Sequence, residues 1–397
     1  MPEVMTDAMP GAMPDAMPDA MPGAMTDTMQ AAVLDAPDAP FRLARLARPV
    51  VGAGHVLVRI AASGVNPLDT KIRAGAAGHA RHPLPAVLGL DLAGTVEAVG
   101  DGVARFRRGD EVYGTTGGVG GIQGTLAELA AVDADLLAHK PANLTMRAAA
   151  ALPLVTLTAW EGLVDRMAVQ PGQTVLIQGG AGGVGHVAIQ IARAFGAEVF
   201  ATGSPGDRAT IEQFGAQFVD RHEPVADYVA RLTAGRGFDR VFDTVGGAAL
   251  DASFAAVRRF GHVASSLGWG THALAPLSFK GATYSGVFTL MPLLSGEGRR
   301  HHGEILAEAA ALALAGKLVP RVDPRRFDLS TVGDAHQAIR DATARGKLFR
   351  RVHAAAAADR RRSPTSRRDP ARGDAVGRER QGRAAPRSAP LHARDDR

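Results

Sequence analysis

The part of this chain best equipped for chemistry is a cluster of glycines set between two apolar runs. Residues 174–204 read TVLIQGGAGGVGHVAIQIARAFGAEVFATGS. Thr174 to Ile177 has the short apolar character of a buried strand. Glu198 to Thr202 repeats it, after a helical stretch carrying Val187, Ile189, Ile191, Ala194 and Phe195. Between strand and helix, Gly180-Ala181-Gly182-Gly183-Val184-Gly185 fits G-x-G-x-x-G. Each glycine there has its own physical task. Gly180 permits the tight turn, Gly182 leaves room for a diphosphate to approach the backbone, and Gly185 lets helix and strand pack closely. Free N–H groups at the helix start, with the positive end of its dipole, then face an anion. Glycine-rich turns are common in a chain with 47 glycines. It is the strand–turn–helix–strand setting that points to a bound dinucleotide, the alternative being a plain crossover with a permissive turn.

The end of the second strand bears on which dinucleotide. An NAD site carries Asp or Glu there to accept from the ribose hydroxyls. Here the strand runs out through Ala201-Thr202-Gly203-Ser204 with no carboxylate, Arg208 follows Asp207, and Arg221 lies beyond the next apolar run. A small hydroxyl with guanidinium groups suits a 2′-phosphate, so NADPH is expected. An ordinary surface role for either arginine stays open.

The elements that must position these groups follow from periodicity. Residues 29 to about 150 read as short strands punctuated by turns, as in a small barrel: Gln30–Leu34, His55–Ile60, Leu92–Val99 and the stretch through Glu111–Gly114. Helical character begins at Met146 and continues from Leu157 to the break at Pro171-Gly172. After the glycine unit, strands at Gln217–Asp220, Arg240–Val245 and His262–Leu267 alternate with helices at Val225–Thr233 and Leu250–Val257. Such alternation builds a parallel sheet covered on both faces. Helices over 304–316 and Thr331–Ala344 precede a last strand, Leu348–Val352.

Composition narrows the classes. The chain has 397 residues, 46% of them hydrophobic, and no cysteine, so it holds no disulfide, thiolate metal site or cysteine nucleophile. That fits a cytoplasmic protein. No apolar run reaches the roughly 20 residues of a membrane span, and no secretory signal opens the chain. The net charge of +5 is uneven, since residues 351–397 carry thirteen arginines against six acids. The remainder is slightly acidic and shows no nucleic-acid surface. In residues 1–28, methionine recurs at every fourth position from Met1 to Met25, with Pro10, Pro14, Pro18 and Pro22 barring a helix. A tandem expansion accounts for that pattern better than a soft-metal site, and Met29 is the expected translation start. Residues 353–397 read as disordered. Their arginines would suit RNA, but no aromatic stands among them to stack on bases.

Several stretches occur together in order: Gly64-Val65-Asn66-Pro67-Leu68-Asp69-Thr70-Lys71-Ile72-Arg73-Ala74-Gly75, Pro85-Ala86-Val87-Leu88-Gly89-Leu90-Asp91-Leu92-Ala93-Gly94, Gly109-Asp110-Glu111-Val112-Tyr113-Gly114, Ala150-Ala151-Leu152-Pro153 with Thr158-Ala159, the loop Ala181–Gly185, and Arg345-Gly346-Lys347. Across residues 29–352 they resemble the medium-chain dehydrogenase/reductase superfamily, in its zinc-free quinone-oxidoreductase (zeta-crystallin-like) branch. The resemblance implies an α/β fold, with a GroES-like β-barrel domain and an inserted Rossmann domain of doubly wound parallel sheet. The expected division is a low-complexity tail (1–28), the first part of the catalytic domain (29–155), the NADPH-binding domain (156–290), a return segment (291–352) and an Arg-rich tail (353–397). It also implies a homodimer.

The same resemblance assigns roles. Gly182, Gly183, Val184 and Gly185 hold the diphosphate, and Ser204 with Arg208 matches the family's pair for the 2′-phosphate. Arg221 replaces a usual tyrosine. Val245 and Gly246 lie beside the adenosine and ribose, Leu267 and Gly268 flank the nicotinamide, and Gly346 with Lys347 forms the closing turn near it. Zinc relatives use Cys, His and Cys, but here Asn66, Leu90 and a position near Leu154 or Val155 stand there, so no zinc is expected. His79 and His82 read as solvated loop residues rather than a metal pair. The expected activity is hydride transfer from NADPH to a quinone or α,β-unsaturated carbonyl, with Asn66, Lys71 and Thr158 as donors to the acceptor's oxygen. Lys71 stands where related enzymes often have tyrosine. Asp69 and Asp91 suit loop-holding roles, and Trp269 and Tyr284 suit either pocket walls or buried core. An alcohol or aldehyde dehydrogenase, or an NADPH-regulated nucleic-acid binder, are the competing readings.

Overall fold

The structure, a computed structural model, describes residues 27–344 and 346–351. The methionine repeat up to residue 26, the Arg-rich tail and Arg345 of the closing turn lie outside the described residues.

Eight strands come first: β1 (Thr28–Leu34), β2 (Arg42–Ala47), β3 (His55–Val65), β4 (Ala86–Val87), β5 (Asp91–Val99), β6 (Glu111–Thr115), β7 (Leu129–Asp133) and β8 (Leu137–His139). Six follow the helical lead-in: β9 (Thr174–Gln178), β10 (Glu198–Gly203), β11 (Gln217–Asp220), β12 (Phe238–Asp243), β13 (Val257–Ser265) and β14 (Thr283–Gly286). β15 (Leu348–Arg351) closes the described chain.

Long antiparallel β3 organises the first sheet. It pairs with β5, which continues to β6 and β8, and β7 also pairs with β3. The chain's end returns to this sheet, with β15 antiparallel to β3 in the register Leu348↔Val65. β1 pairs with β2 and β4 in a separate small sheet. β9 to β14 form one parallel sheet in the order β11-β10-β9-β12-β13-β14. Numbered within the sheet, that is 3-2-1-4-5-6, the doubly wound order in which ligands bind where the connection reverses. The reversal falls between β9 and β12, whose C-terminal ends are Gln178 and Asp243.

Helix α1 (Pro67–Arg73) starts where Pro67 supplies a preset φ and the Asp69 carboxylate accepts from the Asn66 N–H at 2.7 Å. Short α2 (Met146–Ala149) leads to α3 (Pro153–Trp160), which runs on into a π-helical turn, Glu161–Arg166. The expected helix from Leu157 thus begins one turn earlier and widens before its break. α4 (Gly183–Ala194) buries His186 to Ala192, as its apolar run requires. Val187, Ile189 and Ile191 pack with Val175 and Ile177 of β9, and with Trp160, Leu163 and Leu306.

The glycine turn is built as the spacing demands, with one shift. The residue with left-handed backbone is Gly179, at φ 77°, so the chirality penalty falls one residue before the motif. At Gly185, a side-chain carbon would fall on the Gly179 carbonyl oxygen. At Gly183 an added carbon would only touch Val155, at 3.5 Å. Gly185→Ala should therefore cost about 1–3 kcal/mol from overpacking, whereas Gly183→Ala, at a helical position, should not lower stability. Denaturant midpoints of the two variants test this, and equal losses would refute it.

Candidate active site

A cleft of about 930 Å³ opens at the reversal point between β9 and β12. Ligand pockets run to roughly 300–1,000 Å³, so this one lies near the top of that range. Gln178, Gly179, Ala181, Gly182, Gly183 and Val184 line it along the glycine turn. Ser204, Asp207, Arg221 and His222 contribute from the ends of β10 and β11, and Thr244, Val245 and Leu267 from the ends of β12 and β13. From the barrel side come Asn66, Leu68, Lys71, Leu154 and Thr158, with Phe288 and Thr289 following β14.

The floor of the cleft is suited to an anion. The first i→i−4 bond of α4 runs from the His186 N–H to the Gly182 carbonyl, so the N–H groups of Gly183, Val184 and Gly185 have no helical acceptor. Arg321, far along the chain, also lines this wall and donates through Nη1 to the Ala181 carbonyl at 2.9 Å. His186 and Gln190, one turn apart on α4, stitch that distant segment in place. His186 Nδ1 donates to the Gly182 carbonyl at 3.0 Å, leaving Nε2 to accept from the Arg321 N–H at 3.1 Å. The Gln190 amide accepts from Val319 N–H at 2.8 Å and donates to its carbonyl at 3.0 Å. Burial pushes the His186 pKa down to about 4, so the ring is neutral and can both donate and accept. No local pattern announces Arg321, because its place is set by contacts 135 residues away in sequence.

Behind Asn66 lies a buried charge cluster. Asp91 is fully buried and accepts from Leu154 N–H at 2.9 Å, from Asn66 Nδ2 at 3.0 Å and from Lys347 Nζ at 2.9 Å. Lys347 Nζ also donates to Asn66 Oδ1. An ammonium and a fully committed carboxylate thus fill the ground beside Asn66, and the neighbouring Leu90 is wholly buried and apolar. Among the described residues, no group of three or more His, Cys, Asp or Glu side chains could hold a metal. The donor set does not fit zinc, whose catalytic sites take three nitrogen, sulfur or carboxylate ligands with one position left open, because the single carboxylate here is already held by three donors. Asp69 lies close by, and burial above all, with the charge of Asp91 adding to it, raises its pKa to about 7 against the bond from Asn66 N–H.

Toward the barrel the cleft offers hydroxyls. Thr158 Oγ1 donates to the Leu154 carbonyl at 2.7 Å and lies 3.1 Å from Thr289 Oγ1. With the Thr158 proton given to the backbone, Thr289 is the donor in the bond between the two hydroxyls, and it is the one of the pair whose proton can swing from Thr158 to a ligand in the cleft. Sequence reading missed Thr289, since a lone Thr after a strand carries no signal.

Asn66, Lys71, Thr158, Gly182, Gly183, Val184, Ser204, Arg221, Val245 and Leu267 all meet in the cleft wall. The other expected residues lie behind it. Gly180 packs against Ala201, and Gly246 is pinned through its N–H to the Asp243 carboxylate. Gly268 abuts the Tyr284 hydroxyl, and Gly346 abuts the backbone of Arg321. Arg208 turns away to pair with Glu212 at 3.1 Å and to lie over the Phe218 ring at 4.2 Å. Ser204 gives its hydroxyl proton to Asp207 at 2.5 Å. Lys347 serves the buried cluster instead of the wall. Tyr284 sits edge-on to Phe254, whereas Trp269 does line the cleft, stacked on His79, which is exposed and lines the same wall.

Comparison with known proteins agrees with this architecture. The alcohol dehydrogenase GroES-like domain matches residues 52–142, and the zinc-binding dehydrogenase domain matches residues 214–348. A 2-methylene-furan-3-one reductase of Solanum lycopersicum is 34% identical over 315 residues, 76% of this chain and 73% of that protein. A chloroplastic NADPH-dependent alkenal/one oxidoreductase of Arabidopsis thaliana is 33% identical over 309 residues, 76% of this chain and 72% of that protein. The crystal structure of an alcohol dehydrogenase superfamily protein from Novosphingobium aromaticivorans is similar at 62% identity and a TM-score of 0.81, covering 82% of this chain and 100% of that one. The chain belongs to the medium-chain dehydrogenase/reductase superfamily and is an oxidoreductase.

Asp69 supplies a pH test. Its folded pKa of about 7 lies above the 3.8 of an unperturbed carboxyl. The unfolded chain therefore loses this proton first as pH rises. The contribution to stability is complete below pH 4 and lost by about pH 7, on the order of 2 kcal/mol between pH 5 and 8. Asp69→Asn, which keeps an acceptor for the Asn66 N–H, should flatten that slope in denaturant titrations at the two pH values.

Proposed function

We propose that this protein is an NADPH-dependent reductase of quinones and α,β-unsaturated carbonyls that works without zinc. The observation that carries this reading is the composition of the cleft. An anion-binding turn faced by Arg321 occupies one part of it and a hydroxyl pair among apolar walls another, while an ammonium fills the ground beside Asn66. Gly182, Gly183, Val184 and Arg321 would hold the diphosphate, and Arg221 and His222 the 2′-phosphate, while Ser204, its proton given to Asp207, would only accept from the adenosine ribose. Arg221 is the guanidinium there, since Arg208 is engaged elsewhere. When bound, the reduced nicotinamide supplies a hydride to the electron-poor carbon of the acceptor.

The chain's own residues then handle the oxygen and the proton. Thr289, turning its hydroxyl proton from Thr158 to the ligand, donates to the acceptor's carbonyl oxygen as negative charge grows there. Asn66 has its Oδ1 and one N–H committed to Lys347 and Asp91, so it contributes a fixed position and at most one N–H. Lys71, exposed in the cleft wall, is placed to pass the balancing proton. An enone gains one hydride and one proton across its double bond, and a quinone ends as the hydroquinone. A homodimer belongs to the same reading. β14 is one of the two edge strands of the parallel sheet, and Phe260 and Phe279 near it are 79% and 88% exposed. Among the described residues no helix is long and apolar enough to cross a membrane.

A screen of NADPH oxidation over quinones, enones and aldehydes tests the activity, and reduction of aldehydes alone would overturn it. Metal analysis of the active protein should find no stoichiometric zinc. Two arginines separate the cofactor contacts. Arg221→Ala should raise the KM for NADPH about 10- to 100-fold while sparing NADH. Arg321→Ala should weaken both cofactors about tenfold, because the diphosphate is common to them. Binding titrations of both cofactors to both variants check the pattern.

A further inference from the structure

Three rings from three separate segments converge on the cleft wall. His79 comes from the short turn Gly78–Ala80, Trp269 from the loop after β13, and Phe288 from the turn after β14. His79 and Trp269 are stacked, with centroids 5.1 Å apart and planes 24° from parallel. Phe288 stands edge-on to both, with each centroid separation 6.1 Å. Trp269 nevertheless remains 55% exposed. The chain's second tryptophan, Trp160, is buried at 8%. Trp269 thus presents a large, partly solvated ring to the cleft, supported by two other rings of the same wall.

We propose that His79, Trp269 and Phe288 form a specificity-determining wall that selects flat, conjugated ring acceptors over short aliphatic enals. The inference rests on the reductase reading above and names the acceptor class within it. Offset or edge-on ring contacts add roughly 2- to 12-fold each beyond simple area burial, and an electron-poor quinone or aryl enone complements the electron-rich indole face. A short enal has no ring to contribute. Phe288 and Thr289 are adjacent in the chain, so the wall and the hydroxyl able to hold a carbonyl oxygen move together. An acceptor whose carbonyl is part of the ring, or conjugated to it, satisfies both at once. A short enal bonded to Thr289 leaves the wall wet. Gly268 and Gly270 flank Trp269, and Gly270 has φ 118°, a backbone conformation that fits glycine.

The test compares kcat/KM for 1,4-naphthoquinone, benzylideneacetone and (E)-2-pentenal, with NADPH, in the full chain. Trp269→Ala should lower kcat/KM for both ring acceptors about tenfold. The value for pentenal should change less than about twofold, the KM for NADPH should hold, and Trp269→Phe should recover most of the loss. Equal loss across all three acceptors, no loss at all, or a matching rise in the NADPH KM would overturn the proposal. If wild type reduces none of the three, the reductase reading itself fails and takes this one with it. A readout apart from turnover is tryptophan emission. In Trp160→Phe, Trp269 is the sole tryptophan, and naphthoquinone without cofactor should quench it saturably. If that variant does not fold, the difference between wild type and Trp269→Phe reports the same signal. Purely collisional quenching would refute the wall.

Discussion

A short extended stretch, Val319 to Asp323, holds the two sides of the cleft to each other. Its backbone groups find partners on both sides. On one side Val319 and Arg321 spend theirs on the amide of Gln190 and the ring of His186, within α4. On the other, the Lys347 N–H donates to the Arg321 carbonyl at 2.8 Å, and the Asp323 N–H to the Lys347 carbonyl at 3.1 Å. One strand-like segment thus touches both the helix whose N-terminus meets the anion and the residue whose ammonium neutralises Asp91. The glycine turn and the buried charge cluster cannot shift independently.

Electrostatics explains why the cluster takes this form. An isolated carboxylate at full burial is too costly to keep, and Asp91 survives because three donors converge on it. Those donors belong to the N-cap of α1, the start of α3 and the closing turn, so one carboxylate fixes where three elements meet. Asp69, with its second carboxyl oxygen buried and unpartnered, has no such support, and its affinity for a proton rises accordingly.

Much of this was legible in the sequence wherever the signal was local. The glycine turn, the alternation of strands and helices, and the runs that became β1, β5, β6, β9, β10 and β11 all carried period or turn chemistry that the structure repeats. β2 escaped notice because its faces are both largely solvated, so no apolar alternation marks it. The local reading at the end of the second strand picked out Ser204 and Arg221, which the cleft does include. It could not show that Arg208 prefers Glu212 and the face of Phe218, since that choice depends on neighbours one turn and one strand away. Arg321, Thr289 and the role of Lys347 were invisible for a single reason. Each acts only through partners brought near by tertiary folding, at separations up to 281 residues.

That separation has a consequence for how the molecule is made. During synthesis the first sheet emerges with Asp91 in place long before Lys347 is joined to the chain. At about 5–20 residues per second, the delay is on the order of tens of seconds. Through that interval the nascent barrel carries a carboxylate with no counter-charge and the edge of β3 without β15. It can collapse but cannot dry out around that acid. The last stretch of the described chain acts as the keystone of the first, and a ribosome that stalls before it leaves an open, wet and adhesive half-barrel.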